Sequence, residues 1–132
     1  MIDVTGLTIR KAHEALMRGD FSATDLTAAY LERIEKRNST VNAFLEVYED
    51  VMDQAKEADE LIAKGTATLL TGIPIALKDN ILFSNHRASA GSKILEEFVS
   101  PYDATAVRKL KDKGAVFIGR TTMDEFAMGG ST

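Results

Sequence analysis

The fold of this chain is decided by the stretch Gly72-Ile73-Pro74-Ile75-Ala76-Leu77-Lys78-Asp79-Asn80-Ile81. Its apolar run, 73–77, is typical of a buried strand. Pro74 restricts that strand to a start position or a sheet edge, because proline cannot donate a ladder hydrogen bond. Lys78 follows directly, at the strand-to-loop edge where α/β proteins place ligand-contacting groups. Strand alternation puts Asp79 on the opposite face from Lys78, so the two charges need not pair.

A second strand is predicted downstream, after a helix. Asp103 can cap a helix that ends at Gly114. The apolar run Ala115-Val116-Phe117-Ile118 then has the pattern of a buried strand. Strand, helix and strand in this order predict a right-handed βαβ unit, and therefore an α/β fold.

The first 70 residues are predicted to be mostly helical. Their clearest signal is a capping box formed by Ser22 and Asp25, and apolar residues at helical spacing extend that helix to about Arg37. The other predicted elements are a helix from Thr8 to Met17 that ends at Gly19, a short strand over 41–47, and a helix carrying Val51, Ala55, Ala58 and Ile62 that ends near Gly65.

The chain is predicted to be the N-terminal part of a single domain, with residues 1–70 mostly helical and 71–132 beginning the α/β core. A capping-box spacing that starts at Thr122 predicts one short helical turn over 123–128. The chain then ends in Gly129-Gly130-Ser131-Thr132 without a closing strand or helix, as a truncated domain would. A sheet cut short leaves unpaired edges, so we expect self-association or a partly ordered second half.

Composition excludes several classes of function. A formal net charge of −4 gives no basic field for nucleic acid, and the absence of cysteine excludes disulfides and a cysteine nucleophile within the chain. His13 and His86 lie far apart without carboxylates at ligand spacing, so no metal site is predicted. No signal-peptide pattern or membrane-length apolar run is present, so a cytoplasmic protein is expected. The acidic run Glu57-Ala58-Asp59-Glu60 is interpreted as the solvated side of a helix.

Two groups are candidates for function, and each also has a plainer interpretation. A lysine such as Lys78, packed among apolar neighbours, loses hydration of its charged form and can act as a base at neutral pH. A lysine at a strand end can equally extend into water, and position alone favours that alternative. The stretch Gly129-Gly130-Ser131 exposes backbone amides and a hydroxyl that could line an anion or carbonyl pocket, but flexible loops have the same composition.

Three separated segments, taken in order, resemble the amidase signature family. The segment 72–80 resembles the lysine segment of that family. The segments 102–115 and Thr122-Met123-Asp124-Glu125-Phe126-Ala127-Met128-Gly129 resemble one branch of it, the glutamine-hydrolysing subunits of tRNA-dependent amidotransferases. Ser92-Lys93-Ile94-Leu95 points to the same branch. The resemblance begins at the capped helix of Ser22 and implies the mixed-sheet α/β/α sandwich of the family, incomplete in this chain.

The resemblance implies a Ser–cis-Ser–Lys mechanism. In that mechanism a lysine exchanges a proton with a serine in a cis peptide, and this serine activates the nucleophilic serine. Lys78 occupies the lysine position. Both serines belong to a Gly/Ser-rich signature that follows the last residue of this chain, so the isolated 132 residues are expected to be inactive. The resemblance also implies that Gly129, Gly130 and Ser131 line the glutamine pocket.

The same resemblance implies partners and cofactors. The protein would hydrolyse L-glutamine within a heterotrimer that contains B-type and C-type subunits. It would supply ammonia for the amidation of Glu-tRNA(Gln) or Asp-tRNA(Asn), with ATP, Mg²⁺ and most of the tRNA contacts on a companion subunit. No cofactor or metal is assigned to this chain. Two alternatives remain: another amidase-signature hydrolase of small amides, or a non-catalytic fragment that serves as an interaction module.

Overall fold

Capping residues set the ends of the first two helices in the computed structural model, which describes residues 2–130. Helix α1 spans Ile9–Arg18; its N-cap, Thr8, accepts a hydrogen bond from the Lys11 amide at 3.2 Å, and Gly19 ends it with φ +73°. Helix α2 spans Ala23–Val41 and begins with the predicted capping box. The Asp25 amide donates to the Ser22 hydroxyl at 2.9 Å, and the Ser22 amide donates back to the Asp25 carboxylate at 3.0 Å.

Helix α2 continues one turn beyond its predicted end at Arg37. The strand predicted over 41–47 therefore begins later than predicted. Strand β1 spans only Phe44–Val47. The reason is Asn38, whose side chain accepts from the Phe44 amide at 2.8 Å and donates to the Phe44 carbonyl oxygen at 2.9 Å. These two bonds fix the turn between helix and strand. Asn42, with φ +52°, ends the helix in the left-handed conformation.

Helix α3 spans Val51–Ala63, close to its predicted bounds, but its acidic run is not wholly solvated. Asp59 reaches the first turn of α2 and accepts from the Ala23 amide at 2.6 Å and the Thr24 amide at 3.1 Å. The Thr24 hydroxyl donates to the same carboxylate at 2.6 Å. The interpretation of Asp59 as a solvated residue was therefore wrong: it caps a neighbouring helix.

Three strands form one mixed sheet in the order β1, β3, β2. Strand β2 spans Pro74–Lys78 and runs parallel to β3, which spans Val116–Thr121, while β1 pairs antiparallel to β3. Helix α4, Thr105–Lys111, connects the two parallel strands, which confirms the predicted strand–helix–strand unit. Pro74 is the first residue of β2, as its missing amide requires.

Two details around α4 and β2 differ from the predictions. The N-cap of α4 is Ala104, and Asp103 instead accepts from the Ser84 amide at 2.8 Å and pairs with Lys111 at 3.1 Å. Strand β2 is also less buried than its apolar run suggested. Leu77 alone among its residues is buried, because β2 is an edge strand in the part of the chain that the structure describes.

The sheet separates two apolar clusters. Alternate residues of β3 face opposite sides, with Val116 and Ile118 packing among α1, α2 and α3 and with Phe117 packing on the other side. On that second side lie Tyr48, Leu77, Phe83, Val107 and Ala115. None of the helices within residues 2–130 is both long and apolar enough to cross a membrane. Helices on one face and a βα connection on the other correspond to part of an α/β/α sandwich.

Candidate active site at the carboxyl end of β2

Lys78 is the last residue of β2 and lies exposed between two buried neighbours. Leu77 is 3% exposed and Asp79 is 1% exposed. The pleat of the strand explains this arrangement, because successive side chains point to opposite faces. Lys78 pairs in register with Thr121 of β3, so it stands where the carboxyl ends of the two parallel strands meet. Within residues 2–130, no side chain forms a hydrogen bond or ion pair with its ammonium group.

Asp79 points into the protein and accepts four hydrogen bonds. The donors are the Ser89 hydroxyl, the Ser89 amide at 3.0 Å, the Gly91 amide at 2.8 Å and Nη1 of Arg120 at 2.7 Å. Burial raises the pKa of the Asp79 carboxyl, but the hydrogen bonds from Ser89, Gly91 and Arg120 outweigh it and hold that pKa below its ordinary value. Asp79 is therefore a buried, ionised anchor. The prediction that it need not pair with Lys78 is confirmed.

Arg120 connects this anchor to the far strand of the sheet. Its Nε donates to the Glu46 carboxylate of β1 at 2.7 Å, and its Nη1 donates to Asp79. Burial lowers the pKa of the Arg120 guanidinium, while the hydrogen bonds and charges of Glu46 and Asp79 outweigh it and raise that pKa above its ordinary value. The three side chains together link β1, β3 and the residue that directly follows β2, at the end of the sheet that carries Lys78.

Two loops meet the same edge of the sheet and contain strained backbone. Ala90 has φ +50°, and Phe126 and Ala127 have φ +51° and +57°, in the left-handed region that non-glycine residues rarely adopt. The Phe126 amide donates to the Ala90 carbonyl oxygen at 2.8 Å, which ties the two loops together. The Ser92 hydroxyl adds a second tie, to the Glu125 carboxylate, at 2.7 Å. Such conformations cost about 1–3 kcal/mol each and cluster at functional sites.

The predicted helical turn at 123–128 is a short 3-10 turn at Glu125–Ala127, interrupted by the left-handed Phe126. The predicted pocket residues follow it. Gly129 is exposed, and a Cβ there would lie 2.5 Å from Cγ of Asp124, so the backbone and that side chain are in close approach. Gly130 has open space around it. Ser131 lies outside the described residues.

The two histidines have different surroundings. His13 lies on α1, partly buried, as predicted for a helix-face residue touching the core. His86, predicted as a loop residue, stacks on Phe83 with ring centroids 3.9 Å apart and lies 4.3 Å from the Tyr48 ring. Its ring nitrogens lie 2.8 Å from the Ser84 carbonyl oxygen and 3.1 Å from the Asp50 carboxylate. These contacts explain His86 as a packing residue of the second apolar cluster.

The sequence did not predict three features that organise this site: Ser89, Arg120 and the anchoring role of Asp79. One signal was available. Arg120 is the only charged residue in β3, and a charge at the end of an otherwise apolar strand requires a partner when its surroundings are buried.

The structure is an α/β fold with an exposed lysine at the end of a parallel strand, next to loops with left-handed backbone. The sequence model of the amidase family, named Amidase, matches residues 25–132. The chain belongs to the amidase family. This confirms the resemblance of the three segments.

Curated relatives of this chain are similar to it over nearly its whole length. The A-type subunit of glutamyl-tRNA(Gln) amidotransferase from Ruminiclostridium cellulolyticum is 49% identical over 132 residues, covering 99% of this chain and 27% of that protein. The protein of the same name from Geobacter sp. (strain M21) is 47% identical over 131 residues, covering 98% and 27%. The chain thus spans about a quarter of the length of the curated relatives it matches.

Solved structures share the fold. The native peptide amidase from Stenotrophomonas maltophilia superposes with a TM-score of 0.89 at 34% identity, covering 94% of this chain and 26% of that chain. An amidase family protein from Bacillus anthracis superposes with a TM-score of 0.87 at 30% identity, covering 93% and 25%. The predicted partial amidase fold is therefore confirmed.

Proposed function

We propose that this chain is the N-terminal part of a glutamine-hydrolysing subunit of a tRNA-dependent amidotransferase, in which Lys78 handles the proton. The observation that carries the proposal is the position of Lys78. It lies exposed at the carboxyl end of β2, with no ion-pair partner in residues 2–130, in a chain 49% identical to the A-type subunit of an amidotransferase. An amine that is not held in an ion pair can exchange a proton with a neighbouring hydroxyl.

In the proposed reaction a serine attacks the side-chain amide of L-glutamine. The C–N bond breaks, ammonia leaves, and water hydrolyses the acyl-serine to release glutamate. Lys78 exchanges a proton with a second serine in a cis peptide, and this serine activates the nucleophile; both serines lie outside this chain. Gly129, Gly130 and Ser131 contribute to the glutamine pocket. A nucleophile needs a base within hydrogen-bond reach, so the lysine alone cannot perform the reaction.

In the whole assembly we expect B-type and C-type subunits as partners, in the cytoplasm. The ammonia would amidate Glu-tRNA(Gln) or Asp-tRNA(Asn), and ATP and Mg²⁺ would act on a companion subunit. Two features of this chain support that division. Its net charge is −4, and its sequence carries no phosphate-binding glycine loop.

The test is glutamine hydrolysis by the full-length protein. We expect Lys78→Ala to lower kcat by at least about a hundredfold, the contribution typical of a positioned proton-transfer group. Lys109→Ala, which removes an exposed lysine from α4, is the matched control and should leave kcat unchanged. Near-normal turnover by Lys78→Ala would refute the assignment of the lysine.

The alternative function is hydrolysis of small amides, favoured by the likeness to a peptide amidase. Transfer of ammonia to Glu-tRNA(Gln) in the presence of the companion subunits would decide for the amidotransferase, and its absence alongside peptide amide hydrolysis would decide for the alternative. The purified 132-residue chain should show no glutaminase activity. Measurable turnover by that chain would contradict the proposal that the two serines lie outside it.

A further inference from the structure

A buried carboxylate sits directly beside the proposed catalytic lysine. Asp79 is 1% exposed, and an ionised carboxylate at such a position is costly unless several donors satisfy it. Its donors come from two separate parts of the chain, the loop 89–91 and strand β3. The site therefore concentrates hydrogen bonds on the residue that follows Lys78.

The backbone of Asp79 is held as firmly as its side chain. Its amide donates to the Thr121 carbonyl oxygen at 3.1 Å, and its carbonyl oxygen accepts from the Ala90 amide at 2.9 Å. Displacing the end of β2 would break these two bonds together with the four at the carboxylate. Because Lys78 precedes Asp79 directly, the position of its Cα is fixed by the same contacts.

Asp79 is also connected through hydrogen bonds to the other residues of the candidate site. Ala90 lies between the loop donors Ser89 and Gly91, and its carbonyl oxygen accepts from the Phe126 amide, in the turn that leads to Gly129 and Gly130. Arg120 continues the connection to Glu46 in β1. The Asp79 carboxylate thus joins the strand that carries Lys78 to loop 89–91, and Ala90 of that loop is bonded in turn to the segment beside the proposed glutamine pocket.

We propose that Asp79 is a positioning residue for Lys78: its carboxylate fixes the end of β2 against loop 89–91 and Arg120, and so holds the lysine where it can exchange its proton. The inference rests on the proposed function of Lys78. Because Asp79 is only 1% exposed, we assign it no contact with the substrate or the reacting atoms. The competing explanation is that Asp79 only stabilises the fold, as Asp103 does when it accepts from the Ser84 amide and pairs with Lys111.

The experiment compares two substrates on the same sample of full-length enzyme, glutamine and an activated γ-glutamyl ester with a phenolate leaving group. An amide requires a proton for its departing nitrogen, whereas a phenolate does not, so a displaced lysine should harm amide hydrolysis more. The ratio of the two kcat values is independent of the folded fraction. We expect Asp79→Asn to lower the ratio of amide to ester turnover by about tenfold or more, with KM for glutamine changed less than kcat.

Asp103→Asn is the matched control, because it removes another hydrogen-bonded carboxylate, one that anchors a different loop. It should lower thermal stability and leave the ratio unchanged. An unchanged ratio in Asp79→Asn would overturn the inference. If Asp79→Asn does not fold, Ser89→Ala removes one donor to the same carboxylate, and we expect about a threefold fall of the ratio. An unchanged ratio there would equally overturn it.

Lys78→Ala in the same assay separates the two proposals. Loss of turnover in Lys78→Ala together with an unchanged ratio in Asp79→Asn would refute the positioning role alone. Full amide turnover by Lys78→Ala would refute the proposed function.

Discussion

Removal of the Asp59 carboxylate should destabilise the chain far more than removal of the acidic residue beside it. Asp59→Ala leaves the amides of Ala23 and Thr24 without their acceptor, and Ala23 is fully buried. An unsatisfied buried donor costs about 1–3 kcal/mol, and loss of an N-cap interaction costs about 0.5–2 kcal/mol. These contributions overlap, so we expect a loss of about 2–4 kcal/mol. Asp59→Asn keeps an acceptor oxygen and should lose roughly half as much.

Urea unfolding of the 132-residue chain, followed by circular dichroism, measures this loss. With a slope of about 1–3 kcal/mol per molar urea, the midpoint of Asp59→Ala should fall by about 1 M or more. Glu60→Ala is the control, because the Glu60 side chain forms an exposed ion pair with Lys64, worth about 0.5 kcal/mol or less. Two protein concentrations should be compared, since the expected self-association would make the midpoint concentration-dependent. Equal midpoints for Asp59→Ala and Glu60→Ala would refute the capping role.

Two further predictions concern backbone geometry and pH. Gly72→Ala should cost about 2–4 kcal/mol, because φ is +76° and the new Cβ would lie 2.8 Å from the Ala23 Cβ. Gly6→Ala has a similar φ of +70° but open space, so about 1 kcal/mol is expected; equal losses in urea unfolding would contradict the packing argument. The pKa of Asp79 is lowered, so its stabilisation is complete above its ordinary value of 3.8 and is lost as pH falls through the lower folded value. The unfolding free energies of wild type and Asp79→Asn should therefore converge below pH 3.8, and a constant difference would exclude an ionised Asp79.

The elements that were predictable from sequence are those with local causes. Thr8, Ser22 and Asp25 act within one turn of helix, and the structure confirms their caps. The apolar run 115–118 predicts a buried strand, and the structure confirms it, because the first four residues of β3 are buried. Interactions of this kind involve only residues close in sequence, so they can be predicted without knowing the fold.

The predictions that failed depend on contacts between distant residues. Asp59 caps a helix that begins 36 residues earlier, and Asp103 binds an amide 19 residues away. The helical periodicity predicted that Asp59 lies on a solvated face. The position of Asp103 just before a helix predicted that it caps that helix. Both descriptions use correct local preferences. They fail because a carboxylate binds whichever unsatisfied amide the tertiary fold brings within reach, and that choice is not local.

The same distinction applies to the candidate site. The strand pattern placed Lys78 at a strand end and Asp79 on the opposite face, and both placements are found in the structure.

The alternation of side chains also has a consequence for the partners of Asp79. A carboxylate that faces away from an exposed lysine on a two-sided sheet faces the interior, where it requires a cation and amide donors. Arg120, the single charged residue of the neighbouring strand, lies 41 positions away and satisfies that requirement. Pairing β2 with β3 in parallel brings the two charges to the same end of the sheet, but the predicted second strand ended at Ile118, so Arg120 was not predicted as the partner of Asp79. Identification of the loop donors Ser89 and Gly91 required the structure, because no periodic pattern positions that loop.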